Sequence, residues 1–142
     1  MSAGFQAATP GRTLIGRLPK GADLVEGIQA LCEEHGIRAA WVEAVGAVSR
    51  LTFAHYDQAE RRYQEKTSSD HHEMSGFVGN ISLRDGRPFL HAHASFADRE
   101  GVTRGGHLVP GSTVWVAEVR IVELEGVELI RELDEETGLA LW

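Results

Sequence analysis

A single cysteine, Cys32, stands in 142 residues, so no disulfide can close within the chain. Stability has to come from packing, and a chain of this length buries roughly 70% of the surface its unfolded form exposes, enough for one core without covalent staples. The opening MSAGFQAATPGR has neither the basic start nor the apolar run of a secretory signal. With the unpaired thiol, this predicts a cytoplasmic protein. No stretch approaches the roughly 20 uninterrupted apolar residues needed to span a bilayer, so no membrane partner is expected. Positive charge is scarce too: 14 Lys and Arg against 21 Asp and Glu leave a formal charge of -7. Nucleic-acid affinity comes largely from cations that displace counterions from phosphates, and an acidic domain supplies few of them. The one dense basic group, Arg61, Arg62 and Lys66, is interleaved with Glu60 and Glu65, the pattern of a solvated face. Two catalytic signatures are also missing. Ser95 lies in no Gly-x-Ser-x-Gly elbow, and Gly105-Gly106 lacks the long loop, lysine and helix of a phosphate loop. With no repeat, low-complexity tract or linker, the reading is one domain over residues 1–142, its core about 12–133 between short tails.

What is present is dense in strand signals. GRTLIGRL, Gly11 to Leu18, reads as a short strand ended by Pro19 and Gly21. Asp23 offers an N-cap oxygen with Glu26 three residues later, and Leu24, Ile28, Leu31 and Cys32 recur on one helical face until Gly36. This predicts one helix over about Leu24 to His35, with Cys32 a small buried hydrophobe on its apolar stripe. From Arg38 onward valine, aromatic and small residues dominate, and Gly46 marks a bend or bulge inside a strand. Leu51 to Tyr56 is expected to pair with Arg61 to Lys66. Asp85-Gly86, between HHEMSGFVGNISL and RPFLHAHASF, predicts a two-residue hairpin turn, because both turn positions want a positive φ. VWVAEV is apolar on both faces, predicting a central strand covered twice, and VELIREL predicts a further strand joined to it at Glu125-Gly126. The closing LALW is expected to dock on the body or on a neighbouring subunit. One helix and about six to eight strands, mostly in antiparallel succession, indicate an α+β domain rather than a doubly wound sheet.

His91 and His93 lie two apart on the returning strand of that hairpin, so both side chains face one way about 7 Å apart. His107 follows Gly105-Gly106, glycines that allow close backbone approaches and a loop folding back over the strand. Three imidazoles with a fourth position open suit zinc, which either anchors structure or takes part in chemistry. The spacing alone is equally compatible with hydrogen-bonded surface histidines. His71, His72 and Glu73 lie on the partner strand, and register decides their role. Glu73 is a candidate fourth ligand, acceptor for a ligating histidine, or general base; equally it only caps a strand end. His35 and His55 carry no distinguishing signal. A cupin-like barrel also uses His-x-His with a distant histidine, but its glutamate follows within a few residues, whereas Glu100 lies seven after His93.

The ordered segments GIRAAWVEAVGAV (Gly36 to Val48), HEMSGFVGN (His72 to Asn80), PFLHAH (Pro88 to His93), GGHL (Gly105 to Leu108) and VWVAEVRI resemble the PPC domain family. That family comprises stand-alone proteins of bacteria and archaea and the domain attached to AT-hooks in plant nuclear proteins. The resemblance, which runs along most of the chain, implies an α+β fold with a largely antiparallel, strongly twisted sheet packed with one main helix. It further implies a homotrimer and a metal site at His91, His93 and His107, with zinc the best candidate. A DNA-binding label comes with the family, owed chiefly to the plant AT-hooks, in which arginines flanking a glycine enter the minor groove. Here DGRPF has Asp85 where the leading arginine belongs, and it is already a hairpin turn. Two classes of function follow. One is a trimeric zinc-binding protein with a binding or regulatory role, its partners proteins more than DNA, and subunit contacts near Trp41, Trp115 and Trp142. The other is a zinc-dependent hydrolase or lyase acting on a small polar or anionic molecule, with Arg104 to hold the anion and Glu73 or His72 to move a proton.

Overall fold

The computed structural model describes residues 4–142. In chain order the elements are β1 (Thr9–Leu18), α1 (Leu24–Glu34), β2 (Ala40–Asp57), β3 (Arg62–Ser68), β4 (His72–Arg84), β5 (Arg87–Ala97), β6 (Thr103–Leu108), β7 (Thr113–Glu125), β8 (Glu132–Asp134) and β9 (Leu139–Leu141). The helix begins where its cap is. One oxygen of Asp23 accepts from the Val25 and Glu26 amides at 2.9 and 3.0 Å, satisfying N–H groups with no partner inside the helix. Leu24, Val25, Ile28 and Cys32 are buried, and this face packs against β5. Burial pushes the Cys32 thiol up to about 12, since a thiolate there would lose its hydration.

The main sheet has the order β1-β7-β2-β4-β5-β6, with β3 also on β2, and its ladders are antiparallel. β2 is 18 residues long and changes partners along its length. Its first part lies between β7 and β4, while its second pairs with β3 and β6. The change comes just after Gly46, where φ is 152° and an added Cβ would sit 2.0 Å from the Val116 carbonyl oxygen. Register shifts flank this glycine in both ladders, so the expected bulge is there. Because β6 pairs with both β5 and the second part of β2, the strands β2, β4, β5 and β6 close into a ring. The hairpin from β4 to β5 turns on Asp85 and Gly86, at φ 53° and 77°, as the Asp-Gly pair predicts. One apolar cluster runs through the molecule, with Phe96, Ile28, Ile37, Leu51 and Ile81 fully buried within it. No helix among the described residues is long and apolar enough to cross a membrane.

Two elements differ from the sequence reading. VWVAEV is central, between β1 and β2, but in the single chain it is covered on one face only. Val114, Ala117, Val119 and Ile121 are buried, whereas Trp115 and Val116 are 51% and 38% exposed. One helix can cover one face, and among the described residues no second layer lies over the other. VELIREL, in turn, is not a strand beside β7, because both edges of β7 are already taken by β1 and β2. The segment attaches to the end of β4 instead. Leu83 N–H donates to the Leu129 carbonyl and Arg131 N–H to the Leu83 carbonyl, both at 2.8 Å, while β8 pairs with β9.

Gly46→Ala is therefore expected to destabilise the protein by about 1–3 kcal/mol in urea denaturation, while Gly16→Ala changes stability by less than about 0.5 kcal/mol. The contrast arises because a Cβ at Gly16 meets nothing within 4 Å. Cys32 is expected to ignore a thiol reagent in the native protein and to react once denaturant opens the core, read as absorbance of the released chromophore.

Candidate metal centre

Alternation along β5 sends Leu90, Ala92, Ala94 and Phe96 into the core and leaves His91 and His93 on the opposite face. His107 on β6 is the cross-strand partner of His93, and directly opposed residues project the same way. β6 reaches this position because it has no side chains where it is most crowded. A Cβ on Gly105 would lie 2.0 Å from the Ala94 carbonyl oxygen, and one on Gly106 would lie 2.7 Å from that of Ala54. The glycine pair thus acts as expected in allowing close approach, but within a paired strand and not in a loop folded over one.

The three rings end with centroids 5.2 to 5.6 Å apart, and one ligand nitrogen of each lies within 4.8 Å of the others. Among the described residues no other trio of His, Cys or carboxylate groups converges in this way. His107 Nδ1 is buried and has no hydrogen-bond partner, an uncommon state for a native polar atom and one that a ligand or ion relieves. Burial, reinforced by His91, His93 and Arg131, lowers the pKa of His107 to about 4. His91 is lowered as well, first by burial and then by Arg131 and His93. Both rings are thereby held neutral, the form in which imidazole binds a metal. The donor set fits a divalent transition ion.

Beside the triad lies a cleft of about 480 Å³ whose walls include His91, His107, Tyr63, Phe89, Arg84 and Arg131. Tyr63 stacks on His107 with centroids 4.7 Å apart. Arg131, 9% exposed, donates to Ser82 Oγ at 2.6 Å, to the Ala140 carbonyl at 2.8 Å and to Asn80 Oδ1 at 3.1 Å. Asn80 faces His91 across the β4–β5 ladder. Sequence reasoning missed Tyr63, Arg84 and Arg131. Asn80 carried a signal only as part of the Gly79-Asn80 motif, and nothing local marks Arg131, whose place depends on the C-terminal segment folding back.

Other candidates lie elsewhere. Glu73 pairs with Ala97, whereas Val78 pairs with His93. Those five residues of β4 amount to roughly 17 Å, so Glu73 does not reach the triad as ligand, acceptor or base. His72 is buried and its Nδ1 bonds the Asp70 carbonyl at 2.9 Å, while His71 stacks on Trp115 at 6.0 Å between centroids. Arg104 sits across from Phe96 and pairs with Asp98 at 3.3 Å, outside the cleft. Ser95 Oγ meets Ser75 Oγ at 3.0 Å, His35 closes the C-terminus of α1, and His55 is exposed.

The Plants and Prokaryotes Conserved (PCC) domain matches residues 5–125. The chain belongs to this family. The crystal structure of a metal-containing protein from Archaeoglobus fulgidus is similar, 36% identical, with a TM-score of 0.94 over 99% of both chains. A plant- and prokaryote-conserved protein of Pyrococcus horikoshii is 34% identical with a TM-score of 0.93, over 99% of this chain and 96% of that one. A protein of Ralstonia eutropha JMP134 that carries a provisional DNA-binding designation is 27% identical with a TM-score of 0.79, over 89% and 88% of the two chains. Bifunctional protein GlmU of Synechococcus sp. (strain JA-3-3Ab) is 31% identical over 124 residues, 86% of this chain; the chain spans only 19% of that protein. The PCC match includes the triad and Arg84 and stops short of Arg131.

Protein purified without added metal is expected to carry about one divalent ion per chain by elemental analysis. His107→Ala and Gly105→Ala should each lose it, the second by displacing β6 alone, whereas His71→Ala and Glu73→Gln should keep it. Retention in Gly105→Ala would contradict the role of the close strand approach.

Proposed function

We propose that this PCC protein is a homotrimer that holds zinc on His91, His93 and His107, and that the centre receives a ligand in a binding or regulatory role in the cytoplasm. The observation that carries this reading is the open side of the triad: three imidazole donors meet beside a cleft instead of being closed by a fourth side chain. Zinc takes imidazole nitrogens readily and leaves a position free, and the metal-containing relative from Archaeoglobus fulgidus supports a resident ion.

The uncovered sheet face supports the trimer. Ile15 pairs with Arg120 and Arg120 with Glu43, so these form one cross-strand row, and Trp41 and Val45 flank Glu43 on the same side of β2. Ile15, Trp41 and Val45 are 78%, 46% and 57% exposed, with the Glu43–Arg120 ion pair at 3.0 Å among them. Large apolar side chains around a charged pair suit the core of a subunit contact. Further copies of this chain, meeting head to tail in a closed ring of three, are the simplest cover.

DNA is a poor partner for this chain. The charge is -7, Asp85-Gly86-Arg87 forms a turn, Arg62 pairs with Glu60, and Arg61 donates to the Glu135 and Glu136 carbonyls at 3.1 and 3.2 Å. A second reading, a zinc-dependent hydrolase or lyase, is favoured by the same open side. Zinc would supply Lewis acidity there. Against it, the proton-moving groups sought in Glu73 and His72 lie away from the triad, and among the described residues lining the cleft Glu65 is the only carboxylate.

Light scattering after size exclusion should give three times the 15.5 kDa chain mass, and Trp41→Asp with Val45→Asp should shift the population to monomer. A monomeric parent would overturn the trimer. Retention of duplex DNA is expected to be absent at about 150 mM salt, where non-specific electrostatic binding is weak.

A further inference from the structure

We propose that the cleft beside the triad binds a small organic phosphate monoester, with the phosphate between Arg84 and Arg131 and the organic body against Phe89 and Tyr63. Arg131 is the starting point. The residue is only 9% exposed, yet among the described residues it has no ion-pair partner, and its acceptors, Ser82 Oγ, Asn80 Oδ1 and the Ala140 carbonyl, are all neutral. Buried charges are ordinarily paired, because desolvation is recovered only by an opposite charge at hydrogen-bond range. Here a charged neighbour in the same cleft, Arg84, has the wrong sign. Arg84 and Arg131 lie 5.4 and 5.3 Å from the centroid of the same Phe89 ring, and Arg84 also makes no ion pair among the described residues. Two guanidiniums lining one cleft with no ion pair to either are costly in the free protein, a cost that a bound anion offsets.

The rest of the cleft decides which anion. Its volume, about 480 Å³, falls within the range of small-molecule sites, roughly 300–1,000 Å³. Tyr56, Tyr63, Phe89 and Leu139 offer aromatic and apolar wall, so the ligand has a body as well as a charge. Four arginines line the cleft, Arg61, Arg62, Arg84 and Arg131, against the single carboxylate of Glu65, and in a chain of net charge -7 they invert the local field. If the triad holds zinc as proposed above, two further positive charges stand at the same rim. That sum matches a dianionic phosphate better than a monoanionic carboxylate, and the planar fork of arginine accepts phosphate oxygens in pairs. The β8–β9 hairpin is part of the device, since the Ala140 carbonyl holds Arg131 in place.

The test uses the metal-loaded full chain, with phenyl phosphate as probe, benzoate and inorganic phosphate as comparisons, and titration calorimetry as readout. Phenyl phosphate is expected to bind more tightly than either comparison and to weaken as sodium chloride is raised. Arg84→Ala should weaken it about ten-fold or more. Arg131→Lys should weaken it as well while keeping the charge, and if that variant does not fold, Arg84→Ala with an unchanged melting point still decides. Chelator-stripped protein separates the two readings. Arg84-dependent phenyl phosphate binding in protein that carries no metal as purified and takes up none when zinc is added sustains this site and removes the zinc centre. A stoichiometric metal with no phenyl phosphate binding up to millimolar concentration overturns the phosphate site and leaves the zinc centre standing. Equal affinity for benzoate, or full affinity in Arg84→Ala, overturns it too.

Discussion

Strand β6 lies between β5 and the second part of β2 only because two successive residues in it carry no side chain. Each glycine faces a carbonyl oxygen at a distance where no Cβ fits, Gly105 that of Ala94 and Gly106 that of Ala54. Removing the side chains brings both ladders within hydrogen-bonding distance, and the ring of β2, β4, β5 and β6 closes. His107 is then opposite His93 as a matter of register, with His91 two residues further along the same face. Ring closure and triad assembly are one event. Gly46 makes the complementary adjustment in β2, letting one strand serve two sets of neighbours.

Burial then sets the electrostatics of the region. His91 and His107 are half-buried near Arg131, so the charged form of each ring is disfavoured by lost hydration and by a cation close by. The orphaned His107 Nδ1 and the carboxylate-free Arg131 are two costs in one place. Folded proteins seldom keep such costs where nothing offsets them, and perturbed groups gathered at a cleft are a mark of sites that bind something.

A single helix determines the rest of the surface. α1 covers one face of the sheet and leaves Ile15, Trp41 and Val45, on the other, to solvent in the isolated chain. Trp41 and His91 share a sheet face, since both are in register with Asn80, so whatever covers the first lies close to the second.

Much of this was readable from residue patterns. Asp23 with Leu24, Ile28 and Cys32 defined the helix, Asp85-Gly86 defined the hairpin, Gly46 the bulge, and His-x-His with Gly-Gly-His the metal candidates, because each is a local rule about φ, alternation or capping. VELIREL and VWVAEV misled, the first because a strand pattern does not say which edge is free, the second because apolar faces do not say whether a layer exists to cover them. Glu73 and Arg104 were near the histidines in sequence and lost the site through register alone. What residues separately determine about this protein is the conformations and alternating faces that short segments can adopt. Only the tertiary structure decided that Tyr63, Arg84 and Arg131 share a cleft with the triad, since they meet across strands and through a C-terminal hairpin whose pairing depends on long-range contacts no local propensity encodes.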